Sequence, residues 1–320
     1  MSERCTQTRF ELRLVTIPRR KMRINSLGNV LVGLTKLARA HLAAWLKTVM
    51  FLACDIDGCL IPNGGLETPG NKATVAKFLS RNAFAAEIIR HVSTILVQDG
   101  LRIGICTGRS SAFAKKIVDK MFTPGTCTFM VAEGGALKSF YDPLTREWKD
   151  ELPYYLKPEV VKNFLEYKDQ IIEICTKKLG GFLEPGKTII TSFNPPSGVD
   201  VKDFRKIIEA EIEALGISSF LNIDNSGSAV DIGPFGSNKA SCLEEVTGTL
   251  HTAVLVDATN DKGVTKKFLV NLMPKNAEAG IQEIGMEAKL SLYSDFEDLY
   301  GTIEMFIKIA ELRGYVNDED

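Results

Sequence analysis

A doubly wound, Rossmann-like α/β fold, with a parallel sheet interrupted by an inserted α+β domain, is what this 320-residue sequence predicts. Three observations carry the prediction. Short apolar segments at 49–54, 101–106, 127–132, 252–256 and 289–293 have the length and continuity of strands buried on both faces. Stretches with apolar residues at helical spacing separate them, the alternation expected of a parallel sheet. Residues between the third and fourth segments break that alternation, which is the mark of an insertion.

Taken in order, the first strand ends at Asp55-Ile56-Asp57-Gly58. Residues 71–97 carry a helical period, with Thr68 before Pro69 as a candidate cap. The second strand ends at Thr107-Gly108-Arg109, a helix is expected over 111–121, and the third strand ends at Glu133-Gly134-Gly135. The insertion reads as a helix over 158–179, a strand over 188–193, a helix over 201–215 opened by Asp200, and strands at 219–223 and 229–232. Asn225-Ser226-Gly227 supplies the turn between the last two. A helix then opens near Ser237 or Asn238 and carries Lys239; the fourth strand ends at Asp257-Ala258-Thr259-Asn260-Asp261 and the fifth at Ser294-Asp295. These boundaries divide the chain into an extension (1–47), a core in two parts (48–137 and 236–320) and an inserted domain (138–235).

A composition of 45% hydrophobic and 25% charged residues excludes a disordered chain. The net charge of −1 gives no reason to expect a nucleic-acid partner, but its distribution is uneven. Residues 1–50 hold ten Lys or Arg against Glu3 and Glu11, a net of +8, which leaves −9 for the remainder. Within this stretch Leu27, Val30, Leu31, Leu34, Leu37, Ala38, Leu42, Trp45 and Val49 form an apolar stripe opposite Lys36, Arg39 and Lys47. Two readings stay open: a helix that covers the core or a partner subunit, and a membrane-surface helix or organelle-targeting segment. The seven cysteines show no metal-ligand spacing and fit buried free thiols in a reducing compartment, the cytoplasm in the simplest case. No uninterrupted apolar stretch reaches 18 residues, so no membrane span is expected.

The chemistry lies at the strand ends. In open α/β sheets ligands collect beyond the carboxyl edge, where the first strand delivers Asp55 and Asp57. Like charges about 4 Å apart repel by about 4 kcal/mol at an effective dielectric near 20, so a cation or a shared proton is required. Asp55 can attack phosphorus, and Asp57 can protonate a leaving alcohol and then activate water. Thr107 offers a hydroxyl and amides to phosphate oxygens, and Lys239 offers a compact positive charge. Asp257 and Asp261 add hard oxygen ligands suited to Mg²⁺, although Asp261 is also placed to cap a helix. A calcium loop is excluded, because six apolar residues precede Asp55 and position 66 is Leu.

The ordered set Asp55-Ile56-Asp57-Gly58, Thr107-Gly108-Arg109, Lys239 and Asp257 to Asp261 resembles the four-motif pattern of the haloacid dehalogenase superfamily. The likeness covers residues 48–310. It is nearest to the subgroup with a large cap inserted after the third strand, as in Cof-like, sucrose-phosphate and mannosyl-phosphoglycerate phosphatases. The resemblance implies a Mg²⁺-dependent phosphatase acting on a small phosphorylated metabolite, such as a sugar phosphate, through an aspartyl-phosphate, with the insertion as cap. It implies that Asp55 is nucleophile and metal ligand, and that Asp57 is acid/base and binds metal through its carbonyl. Thr107, Gly108 and Lys239 would hold the phosphoryl group, and Asp257 would complete the metal site with Asn260 and Asp261 in support. Arg109 would touch the substrate or form a salt bridge to the core. A phosphomutase would use the same aspartates, and a non-catalytic binding protein would keep the fold alone. Two positions depart from the pattern: Val256 stands where the family has Gly, and Gly134 stands where it has Asn.

Overall fold

The computed structural model describes residues 43–62, 66–67, 73–226, 228–287 and 290–315. Most of the basic amphipathic stretch therefore lies outside the described residues. Its described end, 43–48, is helical; Leu46 is fully buried, and Trp45 packs edge to face on His251 with ring centroids 4.3 Å apart. That end of the stretch lies on the core.

The strands are β1 (Phe51–Cys54), β2 (Arg102–Cys106), β3 (Cys127–Ala132), β4 (Leu137–Asp142), β5 (Glu147–Glu151), β6 (Phe182–Leu183), β7 (Thr191–Asn194), β8 (Leu221–Ser226), β9 (Ala229–Pro234), β10 (Thr252–Leu255), β11 (Val270–Met273) and β12 (Leu290–Tyr293). Eight of them form one sheet in the order β12-β11-β10-β1-β2-β3-β4-β5. From β12 to β3 every pairing is parallel, and β4 and β5 close the other edge antiparallel. The chain runs outward from β1 through β2 and β3, then returns to β10 on the other side of β1. The strand order thus reverses between β1 and β10, where a crevice opens at the carboxyl edge. Register aligns Cys54 with Leu255, so the residues that follow each strand emerge side by side.

The doubly wound fold class is as the sequence predicts, with four corrections of detail. The expected strands omit β11, whose four buried residues follow directly on a short helix and leave no room for a period to show. The segment 138–151, expected in the insertion, pairs with the large sheet through β4 and β5. The helix expected over 71–97 is two helices, α1 (Val75–Arg81) and α2 (Ala83–Gln98), broken at Asn82. Their cap is Thr74, whose hydroxyl accepts from the Lys77 amide, while Thr68 lies outside the described residues. The strand expected over 188–193 begins only at Thr191, because the three preceding amides bond elsewhere.

The remaining strands make a second, antiparallel sheet, β6-β7-β9-β8. Helices α4 (Pro158–Glu173) and α5 (Val201–Ala214) cover it; a wide π turn at Ile174–Lys178, inside the helix expected to reach 179, extends α4. Phe164, Phe193, Phe204, Ile208 and Ile232 form its separate apolar core. The large sheet is flanked by α1, α2, α3 (Ser111–Met121), α6 (Lys239–Thr247), α7 (Lys262–Lys267), α8 (Ala279–Glu287) and α9 (Asp298–Leu312). Among the described residues no helix is long and apolar enough to cross a membrane.

Gly104 in β2 shows how tightly the central strands are packed. A Cβ there would lie 2.3 Å from the ring of Phe129 on the neighbouring strand, a separation that no real contact tolerates. Gly104→Ala is therefore expected to lower the unfolding free energy by about 1–3 kcal/mol, the range for overpacking a filled core. Urea denaturation checks this; an unchanged midpoint would show that Phe129 swings away freely.

Candidate active site

Asp55 follows β1 directly and keeps the strand's ladder for one more bond, its N–H donating to the Leu255 carbonyl at 2.9 Å. This holds the side chain at the crevice, buried. Its Oδ1 accepts from the next amide, Ile56, at 2.7 Å, and Oδ2 lies 3.2 Å from Lys239 Nζ. Gly58 then turns the chain with φ 70° and donates to the Ile61 carbonyl at 2.8 Å, folding the chain back below the aspartates.

Asp257 and Asp261 come from the loop after β10. Val256, in place of glycine, is buried and donates to the Leu272 carbonyl at 3.0 Å, so the exchange leaves Asp257 at the strand end. One oxygen each from Asp55, Asp257 and Asp261 lies within 4.8 Å of the others. Lys239, at the start of α6, ties two of the three, with Nζ 2.6 Å from Asp261 Oδ1 and 3.2 Å from Asp55. Asn238 caps this helix by accepting from the Ser241 amide. Asp261 sits at the cap position of α7 but makes no side-chain cap bond there; its carboxylate goes to Lys239 instead.

Three buried carboxylates face one ammonium. Burial, reinforced by Asp55 and Asp261, pushes Asp257 up to about 9, and burial pushes Asp261 up to about 8 against the pull of Lys239. For Lys239 burial acts downward, but Asp261 and Asp55 outweigh it and hold the group charged well above its ordinary range. Asp257 Oδ2 and Asp261 Oδ2 are buried without a hydrogen-bond partner. Orphaned, crowded hard oxygens are what a small divalent cation would satisfy, so these residues fit Mg²⁺.

Asp57 is elsewhere. Its carboxylate is not in the cluster; Arg109 holds it bidentately, Nε to Oδ2 at 2.6 Å and Nη2 to Oδ1 at 2.7 Å. The salt bridge, one of the two roles expected for Arg109, is present and extends to Glu184 of the smaller domain at 3.2 Å. Thr107 is buried at the end of β2, its Oγ1 accepting from the Arg109 amide at 3.2 Å. Gly108 faces open space: a Cβ would meet nothing within 4 Å. It lines a cavity of about 170 Å³ together with Lys239, Asn260 and, from the smaller domain, Asn222 and Asp231. Asn260 is exposed there, so of the two supporting residues only Asp261 joins the carboxylates.

Several contacts have no signal in the sequence. Cys59 donates its thiol toward Asp257 Oδ1 at 3.9 Å, and Asn276 Nδ2 donates to the Gly58 carbonyl at 2.9 Å. Tyr155 clamps two turns together, its hydroxyl donating to the Gly135 carbonyl at 2.5 Å and accepting from the Asn238 amide at 3.3 Å. Spacing cannot find such residues, because their partners lie far along the chain.

No protein-family model and no curated protein matches the chain. Solved structures do match in fold. A haloacid dehalogenase-like hydrolase from Bacteroides thetaiotaomicron superposes with a TM-score of 0.55 at 15% identity, over 82% of this chain and 100% of that one. The sucrose-phosphatase of Synechocystis, solved with sucrose and phosphate, gives 0.53 at 14% identity over 82% and 98%. The C-terminal domain of the Candida albicans trehalose-6-phosphate phosphatase gives 0.54 at 14% identity over 87% and 97%. The fold is thus the haloacid dehalogenase-like one with its cap.

The raised carboxyls set a pH dependence. An unfolded Asp ionises near about 4, so between there and 8–9 the cation-free fold binds more protons than the unfolded chain. Stability must then fall as pH rises. In EDTA the thermal midpoint is expected to drop from pH 6 to pH 9, and Mg²⁺ is expected to raise it more at pH 9 than at pH 6. Thermal scans across this range check it; a Mg²⁺ effect independent of pH would contradict it.

Proposed function

We propose that this chain is a Mg²⁺-dependent phosphatase that hydrolyses a small phosphomonoester, a sugar phosphate or related metabolite, through an aspartyl-phosphate on Asp55. The observation that carries the reading is the convergence of Asp55, Asp257 and Asp261 on one point beside Lys239. Fold neighbours that include a sucrose-phosphatase and a trehalose-6-phosphate phosphatase support the choice of substrate class.

Bound to Asp55 and Asp257, with the Asp57 carbonyl and Asp261 in support, Mg²⁺ would neutralise phosphate charge that otherwise repels the nucleophile. Asp55 attacks phosphorus in line with the leaving alcohol, and the phosphorus–oxygen ester bond breaks. Lys239 and the Thr107–Gly108 turn hold the transferring oxygens. Asp57 gives the departing alkoxide its proton, then takes one from the water that attacks the phosphorus of the aspartyl-phosphate and frees Asp55. In this structure both Asp57 oxygens accept from Arg109, so Asp57 must leave that pair and take up a proton before it can act as the acid. The smaller domain covers the cavity and keeps water from the intermediate until the alcohol has left.

The test is phosphate release from a panel of sugar phosphates, glycerol phosphates, nucleotides and cofactor phosphates with Mg²⁺. Wild-type protein is expected to release phosphate and EDTA to abolish it. Asp55→Asn is expected to lower kcat by at least about a thousandfold, as for loss of a covalent nucleophile. Isomer formation without free phosphate would favour a phosphomutase, and no turnover on any compound would favour a binding protein.

A further inference from the structure

Glu133 takes no part in the chemistry above, yet its side chain is fully buried at the end of β3. Its backbone has φ 51°, a left-handed conformation that non-glycine residues rarely adopt. A buried carboxylate persists only where donors saturate it. Here Oε1 accepts from the Thr188 amide at 2.8 Å and its hydroxyl at 3.0 Å, and Oε2 accepts from the amides of Ile189 at 2.8 Å and Ile190 at 3.1 Å. Every one of these donors belongs to the segment that feeds β7 of the smaller domain.

The main chain of the same turn is tied to the larger domain. Glu133 N–H donates to the Arg109 carbonyl at 2.9 Å, and Gly134 N–H to the Thr107 carbonyl at 3.3 Å. Gly135 lies so close to the start of α6 that a Cβ would be 2.3 Å from Asn238 and 2.6 Å from the Lys239 nitrogen. The segment held by the side chain, in turn, shapes the cavity wall. Ile190 lines it, packed against Gly233, and β7 pairs with β9 so that Ser192 opposes Asp231, another lining residue. One residue therefore joins the phosphate-binding turns, through its backbone, to the wall that meets the organic group, through its carboxylate.

We infer that Glu133 is a positioning residue: by gathering the 188–190 amides, its carboxylate sets the cap wall over the phosphate-binding turns. The inference rests on the phosphatase reading for its catalytic consequence. Glutamine has nearly the same shape but exchanges one acceptor for an NH₂ group, which would face backbone N–H donors in either orientation. Glu133→Gln therefore breaks the latch while the backbone ties and the Arg109–Glu184 pair remain.

With p-nitrophenyl phosphate and Mg²⁺, Glu133→Gln is expected to lower kcat/KM by at least about tenfold, mainly through KM. The inhibition constant of inorganic phosphate, which needs only the core turns, should move less than about twofold. A partly unfolded preparation would instead lower kcat and leave KM alone. Thr188→Val, which removes one donor, should raise KM by no more than about fivefold and serves if the first variant does not fold. Hydrogen exchange reads the latch without activity: the amides of 188–190 should be protected in wild type and lose protection in Glu133→Gln, whereas Thr188→Val, which keeps all three N–H donors, should leave them protected. A KM within twofold of wild type in Glu133→Gln, or phosphate inhibition weakening in parallel with KM, would overturn the inference. Absence of wild-type turnover would sink the phosphatase reading instead, and unchanged exchange at 188–190 in Glu133→Gln would then still overturn the latch.

Discussion

Three buried aspartates gathered against one lysine are the constraint on which the rest of the molecule depends. Left to themselves, Asp55, Asp257 and Asp261 repel one another, burial drives Asp257 and Asp261 toward protonation, and Lys239 compensates only part of the imbalance. The fold has to hold them together against that force. It does so with backbone bonds at the ends of two adjacent parallel strands and with a helix start fixed by the Asn238 cap. The unpaired oxygens of Asp257 and Asp261 that remain fit a hard cation.

The topology explains why the carboxylates gather at this edge. The strand order reverses between β1 and β10, and such a reversal opens a crevice at the carboxyl edge between the loops that follow the two strands. The apolar residues of β1, β2, β3 and β10 are buried, so the strand ends form a rigid rim on which short loops hold their side chains. The smaller domain, with its own sheet and core, closes over that rim through the Glu133 and Arg109 contacts.

The sequence made this arrangement legible where local pattern and site coincide. Apolar runs that end in Asp55-Ile56-Asp57-Gly58, Thr107-Gly108-Arg109 and Asp257 to Asp261 announce both a buried strand and its functional tail, so the parallel core and the carboxylates are read together. Pattern fails where tertiary contacts decide. Residues 188–190 look like strand, but Glu133 takes their amides and delays β7 to Thr191. β5, with four charged residues of five, looks like surface and is an edge strand of the large sheet. Asp57 and Arg109 are 52 residues apart, and no spacing rule pairs them.

The central claim is that the aspartate cluster binds one divalent cation. Isothermal titration of Mg²⁺ into metal-free wild type and into Asp257→Asn, with circular dichroism showing both folded, measures it most directly. The account requires a single saturable site in wild type and its loss, or a weakening of at least about tenfold, in the variant. Equal Mg²⁺ affinity in the two proteins, or no saturable binding in wild type, would contradict it.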